Sequence, residues 1–201
     1  MELSLRYKNA LVCGSSKGIG KAIAVELAAL GANVTLLARS KDLLEGVLSS
    51  LPRVFEGQDH DYLMADYEDS EDVHKKVNAL TSGRNYHILI NNTGGPPTGK
   101  MMDFTLSNIE ASFRKLFLIN HDLVRLIVPG MQADGYGRII NITSTSVKEP
   151  LTDLGLSNSM RAAVSNWAKT LSNELGQFGI TVNNVMPGFT STERLDQLFA
   201  T

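Results

Sequence analysis

The stretch Cys13-Gly-Ser-Ser-Lys-Gly-Ile-Gly20 decides the fold. Ahead of it runs Asn9-Ala-Leu-Val-Cys13, short, apolar and of strand type. Behind it, Lys21–Leu30 carries Ile23, Leu27 and Leu30 at helical spacing. The chain thus passes from a strand through a glycine-rich loop into a helix. In that geometry a pyrophosphate can sit on the first free N–H groups of the helix. Gly14 permits the tight turn, while Gly18 and Gly20 let backbone approach phosphate and let the helix pack on the strand.

Outward from this loop, strand-like and helical runs alternate. Ala32–Ala38 reads as a second strand. Ser40–Ser50 reads as a helix capped by Ser40, with Leu43, Leu44, Val47 and Leu48 on one face. Strands follow at His60–Ala65, Ile88–Asn91, Gly137–Thr143 and Ile180–Met186. Helices are expected at Ser70–Ser82, from Leu106 to Gln132, and over Leu156–Phe178. Alternation of this kind implies parallel strands joined by right-handed crossovers, an α/β doubly wound sheet ordered 3-2-1-4-5-6. Ligands in such sheets lie beyond the carboxyl ends of the strands.

The 201 residues suit one domain, 1–201, with 43% apolar and 20% charged residues. A net charge of −2 gives no reason to expect a nucleic acid or an acidic membrane as partner. A lone cysteine, Cys13, allows no internal disulfide and suits a reducing cytoplasm. At the end of a buried strand it reads as a small core residue. The N-terminus has no signal-peptide pattern, and no apolar run is long enough to span a bilayer. Nothing in the spacing suggests a metal site.

The end of strand two bears on which dinucleotide fits. It carries Ala38, Arg39 and Ser40, with no carboxylate to hydrogen-bond the ribose hydroxyls. Lys17 adds a second cation nearby. Two cations and a hydroxyl suit a 2′-phosphate, so NADP(H) is expected over NAD(H).

With these residues in place, the chain resembles the short-chain dehydrogenase/reductase family over nearly its whole length. Gly14-Ser15-Ser16-Lys17-Gly18-Ile19-Gly20 matches the family's glycine motif. Asp66, followed by Tyr67, matches the acid that meets the adenine amino group. Asn91-Asn92-Thr93-Gly94 matches its Asn-Asn-Ala-Gly motif, which stabilises the central sheet and lines the cofactor. Gly137–Ser144 matches the strand ending at the active-site serine. Gly179–Gly188 matches the segment that leads to the nicotinamide through Pro187 and Gly188. Thr190 and Thr192 fall where the family contacts the nicotinamide amide and the phosphates. The resemblance implies a Rossmann-type domain. It is similar to a 3-oxoacyl carrier-protein reductase-like branch in which a Ser-Asn-x-x-Arg run replaces the usual pair.

That pair is a tyrosine thirteen residues after the serine and a lysine four residues further on. From Ser144 the count reaches Ser157 and Arg161. A tyrosine can be brought towards neutrality by a neighbouring cation, whereas a serine hydroxyl is a far weaker acid. Arg161 stays charged; it can hold ribose hydroxyls and supply positive potential to an oxyanion. The family's catalytic asparagine aligns with Leu116; Asn120, one turn later, could substitute only if the helix shifts. Tyr86 and Tyr136 precede strands, at the wrong end of the sheet, and Tyr67 would lie by the adenine. The hydroxyl cluster Ser144, Thr145, Ser146, Ser157 and Ser159 could carry a water chain or serve caps and turns.

Family members continue past the position of Thr192 with a substrate lid, a helix and a seventh strand. This chain stops at Thr201, so its C-terminus is expected to be incomplete, with Leu195, Leu198 and Phe199 on one short helix. The helices 106–132 and 156–178 match those that pair across the family's dimer interface, which implies a homo-oligomer. Three functions stay open at this point. The first is an NADP(H)-dependent oxidoreductase acting on a small-molecule carbonyl, alcohol or acyl thioester. The second is an inactive dinucleotide-binding sensor or partner subunit. The third is a lyase or isomerase that uses the cofactor structurally.

Overall fold

The computed structural model describes residues 3–193 and 195. Leu198 and Phe199, placed above on a terminal helix, lie outside the described residues. Six strands, β1 (Asn9–Cys13), β2 (Asn33–Ala38), β3 (Asp61–Met64), β4 (Ile88–Asn91), β5 (Gly137–Ile142) and β6 (Ile180–Val185), form one sheet. Its order is β3-β2-β1-β4-β5-β6 and every pairing is parallel, as the alternating pattern requires. Helices α1 (Gly18–Ala29), α2 (Lys41–Ser50), α3 (Ser70–Gly83), α4 (Leu106–Phe113), α5 (Ile119–Ala133) and α6 (Gly155–Leu175) cover its two faces.

The pleat of β1 sorts its side chains between two cores. Leu11 and Cys13 point to the side covered by α3, α5 and α6, where they meet Val77, Leu123 and Ala168. Ala10 and Val12 point to the other side, with Ala24 and Ala28 of α1 and Leu44 of α2. A strand buried on both faces carries apolar residues throughout instead of alternating, as Ala10–Cys13 do. Tyr86, fully buried, shares a 2.8 Å hydrogen bond with Thr35 below the sheet, at the end away from the ligand side expected above.

One expected element divides. The run from Leu106 to Gln132 is α4, then a π-helical turn at Arg114–Leu118, then α5. A π turn admits an extra residue and changes which side chains face the neighbouring elements. The last expected turn of the long helix over Leu156–Phe178 is also distinct: α6 stops at Leu175 and a 3-10 turn, Gly176–Phe178, follows. Among the described residues no helix is long and apolar enough to cross a membrane.

Candidate active site

Beyond the carboxyl ends of the strands lies a cavity of about 690 Å³. Its floor begins at the β1–α1 loop. Gly14 has φ +58°, and a Cβ there would come within 2.7 Å of the Asn92 carbonyl oxygen. A Cβ on Gly20 would meet the Gly14 carbonyl oxygen at 2.2 Å. Both positions therefore exclude any side chain. Lys17 is the N-cap of α1 and makes no side-chain cap hydrogen bond. The first-turn amides of α1 have no capping oxygen from that residue, while Gly14, Ser16, Lys17, Gly18 and Ile19 border the cavity. Uncapped amides at a helix start beside an open space fit a phosphate group.

At one end of the cavity stand Arg39 and Ser40, which follow β2, and Asp66 and Tyr67, which follow β3. Arg39 Nη1 lies 3.8 Å from Asp66 Oδ2. Ser40 occupies the N-cap position of α2 but accepts no cap hydrogen bond. Lys17 pairs at 2.6 Å with Glu193, which also lines the cavity, so two of the expected phosphate-end cations already have carboxylate partners. The Tyr67 phenol is buried against Cys13, and desolvation first, then the thiol, pushes it well above the ordinary phenol range. Burial likewise pushes the Cys13 thiol up to about 12, consistent with an inert core residue.

At the other end stand Ser144, Ser157 and Arg161, with Thr93, Gly94, Pro187, Gly188, Thr190 and Thr192 also on the wall. Ser144 caps the 3-10 turn Thr145–Val147; its Oγ accepts from the Ser146 amide at 3.1 Å. Arg161 Nη1 donates to the carbonyls of Ile142 and Thr143, at 2.8 and 3.1 Å, where β5 ends. Its Nε donates to Ser157 Oγ at 3.2 Å, one turn back along α6. Both serine oxygens thus accept an N–H, which leaves each hydroxyl hydrogen available as a donor. Of the wider hydroxyl cluster, Thr145 is on the wall, Ser146 is buried, and Ser159 bonds its own helix at the Gly155 carbonyl.

Three residues expected on the wall lie behind it. Ser15 is fully buried and its Oγ donates to the Leu37 carbonyl. Gly20 is taken up in the contact of α1 with the loop. Asn91, the last residue of β4, turns inward as the pleat dictates, and the wall is formed instead by Asn92, which bonds the carbonyls of Cys13 and Gly14. Asn91 begins a row across three strands. Asn91 Nδ2 donates to Asn141 Oδ1 at 2.9 Å, Asn141 Nδ2 to Asn184 Oδ1 at 3.1 Å, and Asn184 Nδ2 to the Ser165 carbonyl of α6 at 3.1 Å.

Around the π turn, Leu116 is buried in the core and Asn120 is buried with its amide donating to the Leu116 carbonyl. Neither lines the cavity; Lys115 does, and no sequence motif pointed to it. Phe189, Leu151, Leu154 and Leu195 add apolar side chains to the wall. Among the described residues no cluster of three His, Cys, Asp or Glu could hold a metal ion.

A six-stranded parallel sheet whose glycine-rich first turn opens on a cleft at the strand ends belongs to a recognisable class. The chain is a member of the short chain dehydrogenase family, whose pattern it matches over residues 8–201. Among curated proteins it is similar to the very-long-chain 3-oxoacyl-CoA reductases of Bos taurus and Homo sapiens, at 30% and 31% identity over 188 residues. That match takes in 92% of this chain and 60% of each relative, so the chain spans about three fifths of their length. Among solved structures, the L-sorbose reductase of Gluconobacter frateurii, complexed with NADPH and L-sorbose, superimposes with a TM-score of 0.89 at 32% identity. The superposition covers 96% of this chain and 74% of that one.

Proposed function

We propose that the chain is an NADP(H)-dependent oxidoreductase acting on a carbonyl or alcohol through a non-standard active site. The observation that carries this reading is the continuous wall from Arg39 and Ser40, past the uncapped start of α1, to Ser144, Ser157 and Arg161. Its length and polarity suit a phosphorylated dinucleotide laid across the strand ends. The NADPH bound to the sorbose reductase, and the reductase names of the relatives, support the choice of cofactor and reaction class.

The cofactor, when bound, supplies or accepts a hydride at its nicotinamide. Gly14, Ser16, Lys17, Gly18 and Ile19 hold phosphate through the α1 amides. Arg39 and Ser40 hold the 2′-phosphate, and Asp66 accepts from the adenine amino group. Thr93, Gly94, Pro187, Gly188 and Thr190 border the nicotinamide half, and Thr192, beside Gly18, borders the phosphates. Ser144 and Ser157 donate hydroxyl hydrogens to the substrate oxygen, and the Arg161 guanidinium positions the nicotinamide ribose and supplies positive potential to the negative charge developing on that oxygen. Neither hydroxyl is acidic enough to be the net acid, so each passes a proton on only as it is replaced, from solvent through a chain of waters or from a group of the substrate. A small carbonyl compound or an acyl thioester is the substrate class, and two copies pair through 106–132 and 156–178.

One observation favours a second reading, a dinucleotide-binding sensor or partner subunit. Among the described residues, Tyr67 is the one tyrosine on the wall, and it stands at the end of the cavity away from Ser144, so no phenol accompanies Ser157 and Arg161. Steady-state oxidation of NADPH over ketones, aldehydes and acyl thioesters separates the two. Turnover on one class supports the enzyme. Tight NADPH binding with no turnover on any class replaces it with the sensor.

A further inference from the structure

Lys115 stands out from the rest of the cavity wall. It sits within the π turn, at the position beside Leu116, and the widened turn accompanies a lysine on the cavity wall while Leu116 is in the core. Its side chain is 24% exposed, and its ammonium pairs with the Glu68 carboxylate, itself 61% exposed. An ammonium has three N–H donors, of which Glu68 takes one. The 24% covers the whole side chain, whose stem is apolar; the ammonium at its tip keeps two donors beyond the one that Glu68 takes, beside the cavity.

The neighbours indicate what those two donors meet. Glu68 follows Asp66 and Tyr67 on the loop after β3, and its own amide donates to Asp66 Oδ1 at 3.1 Å. Asp66 in turn pairs with Arg39. Asp66 and Glu68 thus link Arg39 to Lys115, and Arg39, Asp66 and Lys115 all line the cavity. Arg39 approaches from the end of β2, and Lys115 from the helical side between α4 and α5. A polar group held at this end of the cavity would have both cations, carried on different elements, among its neighbours.

We infer that Lys115 is a ligand of the adenosine half of the cofactor, donating from its ammonium to ribose or adenine acceptors, with Glu68 holding the amine in place. The inference rests on the NADP(H) reading given above. It adds a cation outside the glycine loop and outside the end of β2, the two places where the sequence suggested one.

Fragments of the cofactor test it, because they separate the two halves of the site. Binding of adenosine 2′,5′-bisphosphate, of NADPH and of reduced nicotinamide mononucleotide is measured by calorimetry for the native protein, Lys115→Met and Lys115→Arg. Thermal melting of each unliganded protein checks folding. The expected result is a roughly tenfold loss for Lys115→Met with both adenosine-containing ligands, as for loss of one charged hydrogen bond. Arg restores most of the affinity, and the mononucleotide is unaffected. Undiminished binding of the bisphosphate by a folded Lys115→Met protein overturns the inference and leaves the NADP(H) reading standing. A loss confined to the mononucleotide also overturns it, by moving Lys115 to the other half. Failure of the native protein to bind any of the three overturns both.

Discussion

Arg161 Nε donates to Ser157 Oγ at 3.2 Å, while the same guanidinium is tied to the end of β5 through the Ile142 and Thr143 carbonyls. The arginine thereby fixes a helix to a strand end and orients a hydroxyl in one step. Arg161→Met removes the donors to both carbonyls and the charge beside the proposed oxyanion. Activity should fall at least a hundredfold, with Arg161→Lys recovering part of it, because one ammonium can replace the charge but not the fork. Steady-state kinetics of the two variants on the best carbonyl substrate check this; equal activity of native and Met proteins would remove Arg161 from the mechanism.

Arg39 is paired with Asp66 only at 3.8 Å and is well exposed, so an incoming 2′-phosphate can recruit it. Arg39→Ala should weaken NADPH about tenfold and leave NADH nearly unchanged, a shift in the ratio of the two affinities. Fluorescence titration with each nucleotide measures it.

Gly14 combines a positive φ with a near neighbour in Asn92. Gly14→Ala meets both the left-handed backbone penalty and the clash, together about 2 kcal/mol or more. For a chain of this size that lowers Tm by roughly 4–8 °C. It should also weaken nucleotide binding, since the loop must shift where phosphate is held. A variant as stable as native protein would mean that the Asn92 segment yields freely.

Two histidines make stability depend on pH. His60 Nδ1 accepts from the Val34 amide at 3.2 Å, and His87 Nδ1 accepts from the Asn9 amide at 3.0 Å, so each ring serves as a neutral acceptor. Burial is the main cause that lowers both pKa values; for His60 the Pro52 carbonyl and then Asp59 oppose it while Arg53 adds to it, and for His87 Lys8 adds to it while Asp134 opposes it. A lowered folded-state value means that the unfolded chain binds protons first. This contribution to stability is complete above the unfolded value of about 6.5 and is lost as pH falls below it, until the folded-state values are reached. Melting curves between pH 8 and 5 should therefore show Tm falling below about pH 6.5. The fall should be shallower in His87→Gln, whose side-chain oxygen can accept the Asn9 amide without titrating.

Much of the fold was legible because burial writes itself into the residue pattern. Ala10–Cys13 and Ile88–Asn91 are buried through their length and read as central strands of a parallel sheet. The glycines of the first loop were legible for a steric reason that the Gly14 and Gly20 contacts make explicit. The π turn left no such trace. Arg-Lys-Leu-Phe-Leu is as compatible with an ordinary helix, and which of its side chains faces the cavity depends on hydrogen bonds that the sequence does not display. Lys115 was invisible for that reason, and Asn120, the candidate that a helix shift would have recruited, is occupied by the Leu116 carbonyl. The Asn91-Asn92 pair was ambiguous in another way. Two identical residues at a strand end differ only in which side of the sheet each faces, and the second forms the wall.

The asparagine row has a direction, and its outer end sets it. The Ser165 carbonyl can only accept, so Asn184 must turn its NH2 outward and its oxygen towards Asn141. Asn141 and then Asn91 are forced into the same sense, which leaves Asn91 Oδ1 buried and without a partner at the inner end. Rotating any single amide by half a turn would set oxygen against oxygen, and reversing all three would still set Asn184 Oδ1 against the Ser165 carbonyl, so the row holds one sense only. A helix packed on one face of the sheet thus dictates, by way of three strands, which atom of Asn91 is left without a partner in the interior.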